Sequence, residues 1–193
     1  MSENARILAV SKGHPAEEIK RVYDGMGLRH FGENYVQELK SKVTLLPDDI
    51  QWHFIGRLQG NKVKDLLRIP NLIMIESIEN VHQVKEIRKH CLALDRTIEI
   101  LIQVNCDQNE AQGGVSADLI PALIQECDER VRFKGFMTIS PREHFAIMKE
   151  LKTFFMAEEL SMGMSGDYKE AIEQGATQVR IGTLLFGPRP RKQ

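Results

Sequence analysis

Short apolar or β-branched runs alternate along this chain with longer stretches in which apolar residues return every three or four positions. The runs are Ile7–Val10, His30–Gly32, Trp52–Ile55, Leu72–Ile75, Ile98–Val104, Phe133–Thr138, Leu160–Met164 and Gln178–Gly182. Each has the length and composition of a buried strand. Between them, Ile120, Leu123, Ile124, Cys127 and Val131, and again Tyr168, Ala171, Ile172 and Gly175, fall on single faces of amphipathic helices. Strand–helix alternation without consecutive hairpins predicts a parallel sheet with right-handed crossovers, and eight repeats fit closure into a (β/α)8 TIM-type barrel. An open doubly wound sheet is the alternative. Against it, no Gly-x-Gly-x-x-Gly follows the first strand, where a dinucleotide-binding fold carries its phosphate turn.

One α/β domain over residues 1–193 is the expected organisation, because 193 residues bury one core and are short for two. A Gly-Pro-rich tail is all that follows the eighth strand, and only a handful of residues precede the first. No helix is therefore expected over the seam between strands eight and one. Outer apolar faces of Leu8, Val10, Leu185 or Phe186 would then be bare, which points to a weak dimer or to a less stable monomer.

Charge removes several function classes. The 26 basic and 27 acidic side chains nearly cancel, so no overall field favours nucleic acid or an anionic membrane. Only Arg189-Pro190-Arg191-Lys192 is locally basic. Cys91, Cys106 and Cys127 are odd in number and without Cys-x-x-Cys spacing, which argues against a disulfide framework and a zinc site and for the reducing cytoplasm. Six histidines without His-x-x-x-His or Glu-x-x-His spacing predict no metal. No apolar stretch approaches the roughly 20 residues of a membrane span, and Met1 to Arg6 is too polar for a signal peptide.

Lys12 stands at the end of the first apolar run, with Gly13-His14-Pro15 turning the chain at once. A strand-end amine, partly desolvated and near positive charge, is suited to forming an imine; a rim lysine reaching solvent is the plainer reading. Far along the chain, Met164-Ser165-Gly166-Asp167 and Arg180-Ile181-Gly182-Thr183 supply hydroxyls, glycine backbone and a guanidinium, the parts of a phosphate site. They follow the seventh and eighth strands, where barrels often hold phosphate. Ser165-Gly166-Asp167 opens a helical stretch, with Asp167 at the N-cap, or is simply a capped turn. Arg180 interrupts an apolar strand and needs an anion or bound acceptor. His53 and Asn34 sit at strand ends, where either lines a pocket or satisfies a buried hydrogen bond; for His53 the structural role is favoured. Lys62, in Gln59-Gly60-Asn61-Lys62, is solvated or at the pocket rim. Asp48-Asp49 and Glu158-Glu159 are expected to face water.

Five ordered blocks carry a resemblance: Ala9-Val10-Ser11-Lys12; Phe31-Gly32-Glu33-Asn34-Tyr35-Val36-Gln37-Glu38; Trp52 to Gly56 with Leu58-Gln59 and Asn61 to Lys64; Leu160 to Ser165; and Val179-Arg180-Ile181-Gly182-Thr183. Together they closely resemble the pyridoxal phosphate homeostasis protein family. The resemblance implies an alanine-racemase-like barrel without the second domain, pyridoxal 5′-phosphate held as a Schiff base on Lys12, and no established catalysis. It also implies that Ser165, Gly166, Gly182 and Thr183 hold the phosphate, that Arg180 contacts the phosphate or the pyridine nitrogen, and that Asn34 lies beside the ring. Gly13-His14 stands where the family usually has Thr-Lys, and Ala111-Gln112-Gly113-Gly114 lacks a lysine usual in that loop. The family's helix before the first strand is also missing.

The leading expectation is a non-enzymatic carrier or buffer of pyridoxal phosphate in vitamin B6 homeostasis, with apo forms of pyridoxal-phosphate enzymes as partners. A pyridoxal-phosphate enzyme such as an amino-acid racemase is the alternative. It needs acid–base groups at the ring faces, yet Tyr23, Tyr35 and Tyr168 all fall on or beside helices. A lysine-imine aldolase acting on a sugar phosphate keeps Lys12 and the phosphate site without a cofactor.

Overall fold

The computed structural model describes residues 5–107 and 112–188; the basic tail from Arg189 and residue Ala111 lie outside them. Eight strands and eight helices alternate. They are β1 (Arg6–Val10), α1 (Ala16–Met26), β2 (His30–Glu33), α2 (Val36–Val43), β3 (Gln51–Phe54), α3 (Val63–Leu67), β4 (Leu72–Ile78) and α4 (Val81–Ala93). The second half continues with β5 (Ile98–Gln103), α5 (Ile120–Gln125), β6 (Val131–Met137), α6 (Phe145–Phe154), β7 (Glu159–Met164), α7 (Tyr168–Glu173), β8 (Gln178–Ile181) and α8 (Thr183–Phe186). All eight strands close in sequence order into one parallel barrel, β8 pairing with β1 through Ile7↔Val179 and Leu8↔Arg180. The eightfold alternation is thus a barrel and not an open sheet.

Local chemistry sets the element ends. Gly27 takes φ 65° and returns its N–H to the Tyr23 carbonyl, ending α1, while the Asn80 side chain accepts from Gln83 N–H and starts α4. Val131 opens β6 rather than continuing the α5 face, because the helix stops at Gln125.

Strand register sorts the core into two parts. Ala9, Phe31 and Trp52 lie abreast and belong to the main buried cluster with Ile19, Leu39, Leu66, Val84, Met148 and Ala171 from the surrounding helices. One position along, Val10, Gly32, His53 and Met74 lie abreast. They line the barrel interior, where a Cβ on Gly32 would meet Leu8 and Ile55 at 3.1 Å. Met74, Leu101 and Met137 form a separate interior cluster.

This phase corrects the expectation at the seam. Leu8 and Val10 share the phase of Gly32 and Arg180 and point inward, so they have no bare outer face. One helical turn, α8, follows β8; its Phe186 is buried and Leu185 half-buried. The apolar side chains that do meet solvent there are Ile7 and Leu184.

Candidate functional site

Strand phase delivers the pocket. Lys12 is two positions beyond Val10 and four beyond Leu8, so the inward alternation of β1 carries its side chain to the C-terminal mouth of the barrel. A cavity of about 440 Å3 opens there. Lys12, Asn34, Ser165, Gly166, Arg180, Gly182 and Thr183 all line it, as do Val10, Ile55, Met137 and Ile139. The expected residues are thereby brought together from four strand ends. Ser165-Gly166 follows β7 and Gly182-Thr183 follows β8, which places the two phosphate-type segments side by side.

Arg180 forms part of the pocket floor. Its Nη1 donates to the Ser161 carbonyl at 2.8 Å and to Ser161 Oγ at 3.0 Å, and its Nη2 donates to the Thr138 carbonyl at 2.6 Å. The bound acceptor required of an interior guanidinium is therefore supplied by the protein, while the residue still faces the cavity. Burial lowers the pKa of this arginine, opposed by the nearby Glu76 carboxylate.

Below the floor runs a buried polar chain that no local signal announced. Glu76 Oε1 accepts from His53 Nδ1 at 2.6 Å and from Gln178 Nε2 at 2.7 Å; Glu76 Oε2 accepts from Ser161 Oγ at 2.7 Å. His53 Nε2 meets His30 Nδ1 at 3.0 Å. Burial opposes charge on Glu76, but the hydrogen bonds and charge of His53 and the charge of Arg180 outweigh it and hold the carboxyl below its ordinary value. Burial, with His53 and Arg6 nearby, pushes His30 down to about 4. His53 is thus a fully buried structural residue, as favoured from the sequence.

Other expectations resolve individually. Asp167 does sit at the N-terminus of α7, yet its carboxylate accepts from Met164 N–H at 2.6 Å and caps no helix N–H. Lys62 lines a neighbouring cavity with Asn34 and Arg57 and does not reach the Lys12 cavity. Asp48 and Asp49 are exposed, as is Glu158, whereas Glu159 is half-buried and pairs with Arg6 at 3.1 Å. Gly13 takes φ 78°, which suits glycine. His14 is buried, hydrogen-bonded to Glu18 at 2.7 Å and stacked on Phe186 with centroids 4.9 Å apart.

A polar strap with little local sequence signal crosses the cavity mouth. Arg57 Nε donates to Glu79 Oε1 at 3.1 Å, Gly114 N–H donates to Glu79 Oε2 at 3.1 Å, and Gln103 Nε2 donates to the Gln112 carbonyl at 2.9 Å. Gln103 was legible as an in-phase strand-end residue; the partners of Glu79 were not, being separated in sequence.

An amine, a fixed guanidinium, two hydroxyls and open glycine backbone around one cavity can hold an aldehyde that also carries a phosphate. Apart from its own chain neighbours, no atom of the described residues lies within 4 Å of the place a Cβ would take on Gly166, which leaves room for an anion against that backbone. Volume agrees with a small-molecule site. Among the described residues, no group of His, Cys, Asp and Glu could hold a metal ion, and no helix is long and apolar enough to cross a membrane.

Comparisons with known proteins point the same way. The family model "Alanine racemase, N-terminal domain" matches residues 1–190. A pyridoxal phosphate homeostasis protein of Aquifex aeolicus is 41% identical over 96% of this chain and 87% of its own length. Its counterpart in Schizosaccharomyces pombe is 38% identical over 98% and 86%. The structure of PipY of Synechococcus elongatus with pyridoxal phosphate bound matches with a TM-score of 0.84 at 34% identity, over 97% of this chain and 94% of that one.

Proposed function

The chain belongs to the pyridoxal phosphate homeostasis protein family, and from that premise we propose that it binds pyridoxal 5′-phosphate as a Schiff base on Lys12 and acts as its carrier or buffer. The convergence of Lys12 with Arg180 and the Ser165-Gly166 and Gly182-Thr183 segments on one cavity carries this reading. When bound, the cofactor supplies an aldehyde that condenses with an amine, with loss of water.

The chain's own residues divide the work. Lys12 supplies the amine. Ser165, Gly166, Gly182 and Thr183 hold the phosphate through hydroxyls and backbone N–H groups, and Arg180 offers positive charge to the phosphate or lies at the pyridine nitrogen. Asn34 lies beside the ring, and Val10, Ile55, Met137 and Ile139 exclude water from it. Holding the cofactor at two separate points limits its reaction with other amines and leaves it transferable to apo-enzymes.

We read the protein as a non-enzyme. None of the three tyrosines lines the Lys12 cavity, so no phenol stands opposite the lysine as a second acid–base group. A racemase remains the alternative, favoured by the family model's name. Cys91, Cys106 and Cys127 are free, and burial raises each thiol pKa, in keeping with a reducing cytoplasm. We take the protein to be a monomer or weak dimer, since the apolar side chains exposed at the seam among the described residues, Ile7 and Leu184, are scattered.

Addition of pyridoxal phosphate to the wild-type chain should produce visible imine absorbance. In Lys12→Ala that band should vanish while weaker binding through the phosphate loops persists. An unchanged band in Lys12→Ala, or no band in wild type, would overturn the proposal. Transfer to an apo-enzyme faster than release into solution identifies a donor rather than a reservoir, and turnover of an amino acid would favour the racemase.

A further inference from the structure

The tripeptide centred on Lys12 is gripped on both sides by side chains that do not touch the cavity. Lys42, on the buried face of α2, donates from Nζ to the Ser11 carbonyl at 2.9 Å, to Glu33 Oε1 at 2.6 Å and to Glu38 Oε1 at 2.6 Å. All three ammonium protons are thereby used. Ser11 Oγ donates to the same Glu33 oxygen at 2.6 Å. Beyond Lys12, the Gly13 N–H donates to Glu38 Oε1 at 2.6 Å. On the near side, Ser11 N–H also donates to the Gly32 carbonyl at 3.0 Å.

This cluster is costly to bury. Ser11 and Glu33 are wholly inaccessible, Lys42 is 5% exposed, and Glu33 Oε2 is buried without a partner among the described residues. A well-packed apolar pair of similar volume would serve stability as well or better. What an apolar pair cannot do is hold a carbonyl before Lys12 and an N–H after it. One lysine between two carboxylates does both, because one Glu38 oxygen accepts from the Lys42 ammonium and from the Gly13 amide together.

We infer that Glu33, Lys42 and Glu38 are positioning residues for Lys12, fixing the backbone at Ser11 and Gly13 so that the amine is presented to the aldehyde carbon of the bound cofactor. The inference rests on the reading of Lys12 as the Schiff-base lysine. In the step it serves, the neutral Lys12 nitrogen forms a bond to the aldehyde carbon. The carbonyl oxygen then leaves as water, taking the two amine protons. The clamp contributes no proton and touches neither reactant. It acts by removing backbone freedom that the amine would otherwise lose on bond formation.

The phosphate loops belong to β7 and β8 and make none of these contacts, so the clamp should govern the covalent bond and leave phosphate-driven binding alone. Two probes separate these: pyridoxal 5′-phosphate, followed by its visible band, and pyridoxine 5′-phosphate, which has an alcohol in place of the aldehyde and forms no imine. In Glu38→Ala and Lys42→Met, the covalent adduct should weaken about tenfold or more, while affinity for pyridoxine 5′-phosphate stays within about twofold. Glu38→Gln keeps an oxygen for the Gly13 N–H and should recover most of the adduct. Should Lys42→Met not fold, the half-buried Glu38 carries the comparison.

Equal weakening of both probes in Glu38→Ala would show a general structural role and overturn the inference, as would an unchanged adduct. Absence of the visible band in the wild-type chain would instead bring down the reading of Lys12, and the inference with it.

Discussion

Replacing Gly56 by alanine tests whether β2 and β3 fix the pocket wall as tightly as the register requires. Gly56 follows β3 and lies against the backbone of Asn34. A Cβ there would come within 2.6 Å of the Asn34 carbonyl carbon and 2.7 Å of its Cα, nearer still to the carbonyl oxygen. Ordinary contact begins at 3.4 Å, so the two backbones must part by more than an ångström to clear the carbonyl oxygen. Neither can yield cheaply. Ile55 N–H donates to the Glu33 carbonyl at 2.9 Å, the Ser77 hydroxyl donates to the Gly56 carbonyl, and Glu33 pairs with Phe54 in the sheet. Overpacking typically costs 1–3 kcal/mol. With backbone on both sides and no flexible side chain to move, about 3 kcal/mol is expected, a fall in Tm of about 6 to 12 °C for a chain of this size. Urea denaturation of the apo-protein measures it, and cofactor titration should show weaker binding as Asn34 is displaced. A denaturation midpoint indistinguishable from wild type would refute the close approach.

Two groups shifted by burial should give opposite pH slopes. His30, held near 4 chiefly by burial, is neutral in the fold and binds a proton more readily when unfolded. Stability is therefore complete above pH 6.5 and falls as pH drops toward 4, by about 1.5 kcal/mol once screening of this half-exposed ring is allowed for. Glu33 is pushed up to about 7 by burial, against the pull of Lys42. The fold binds its proton more tightly, so stability is highest below pH 4.5 and falls as pH rises through 7, by about 3 kcal/mol. Urea midpoints of Glu33→Gln should drop less than wild type between pH 5 and 8, and His30→Gln should drop less between pH 6.5 and 4; slopes matching wild type would contradict these assignments. Ser161→Ala removes the donor to Glu76 Oε2 and an acceptor of Arg180. It should cost about 2–3 kcal/mol in the same assay and loosen cofactor binding, and a loss below about 0.5 kcal/mol would deny the buried chain its weight.

Strand positions were legible because most runs are largely apolar, as barrel strands packed inside and out tend to be. Arg180 was legible for the converse reason, a guanidinium in an apolar run. The polar interior was not. His30, His53, Glu76, Ser161 and Gln178 come from five strands, with partners separated by 17 to 102 positions, and nothing in a single sequence records which strands curl to face one another. Facing at β1 hinges on one residue of phase, which is why Leu8 and Val10 were expected outside and stand inside. For the clamp a signal did exist: Val36, Leu39, Lys42 and Val43 follow helical spacing, and a lysine on that apolar face implies buried carboxylates. Glu33 and Glu38 stood in the same block, but their shared grip on Ser11 and Gly13 emerges only when α2 folds back and brings Lys42 against the end of β2 and the residues after β1.

Lys12 is proposed as the amine that holds the cofactor. Borohydride reduction of the wild-type chain loaded with pyridoxal phosphate, followed by protease digestion and mass spectrometry, tests it most directly. One stoichiometric reduced adduct on the peptide carrying Lys12 is expected. An adduct spread over other lysines, or a fully unmodified Lys12, would contradict it.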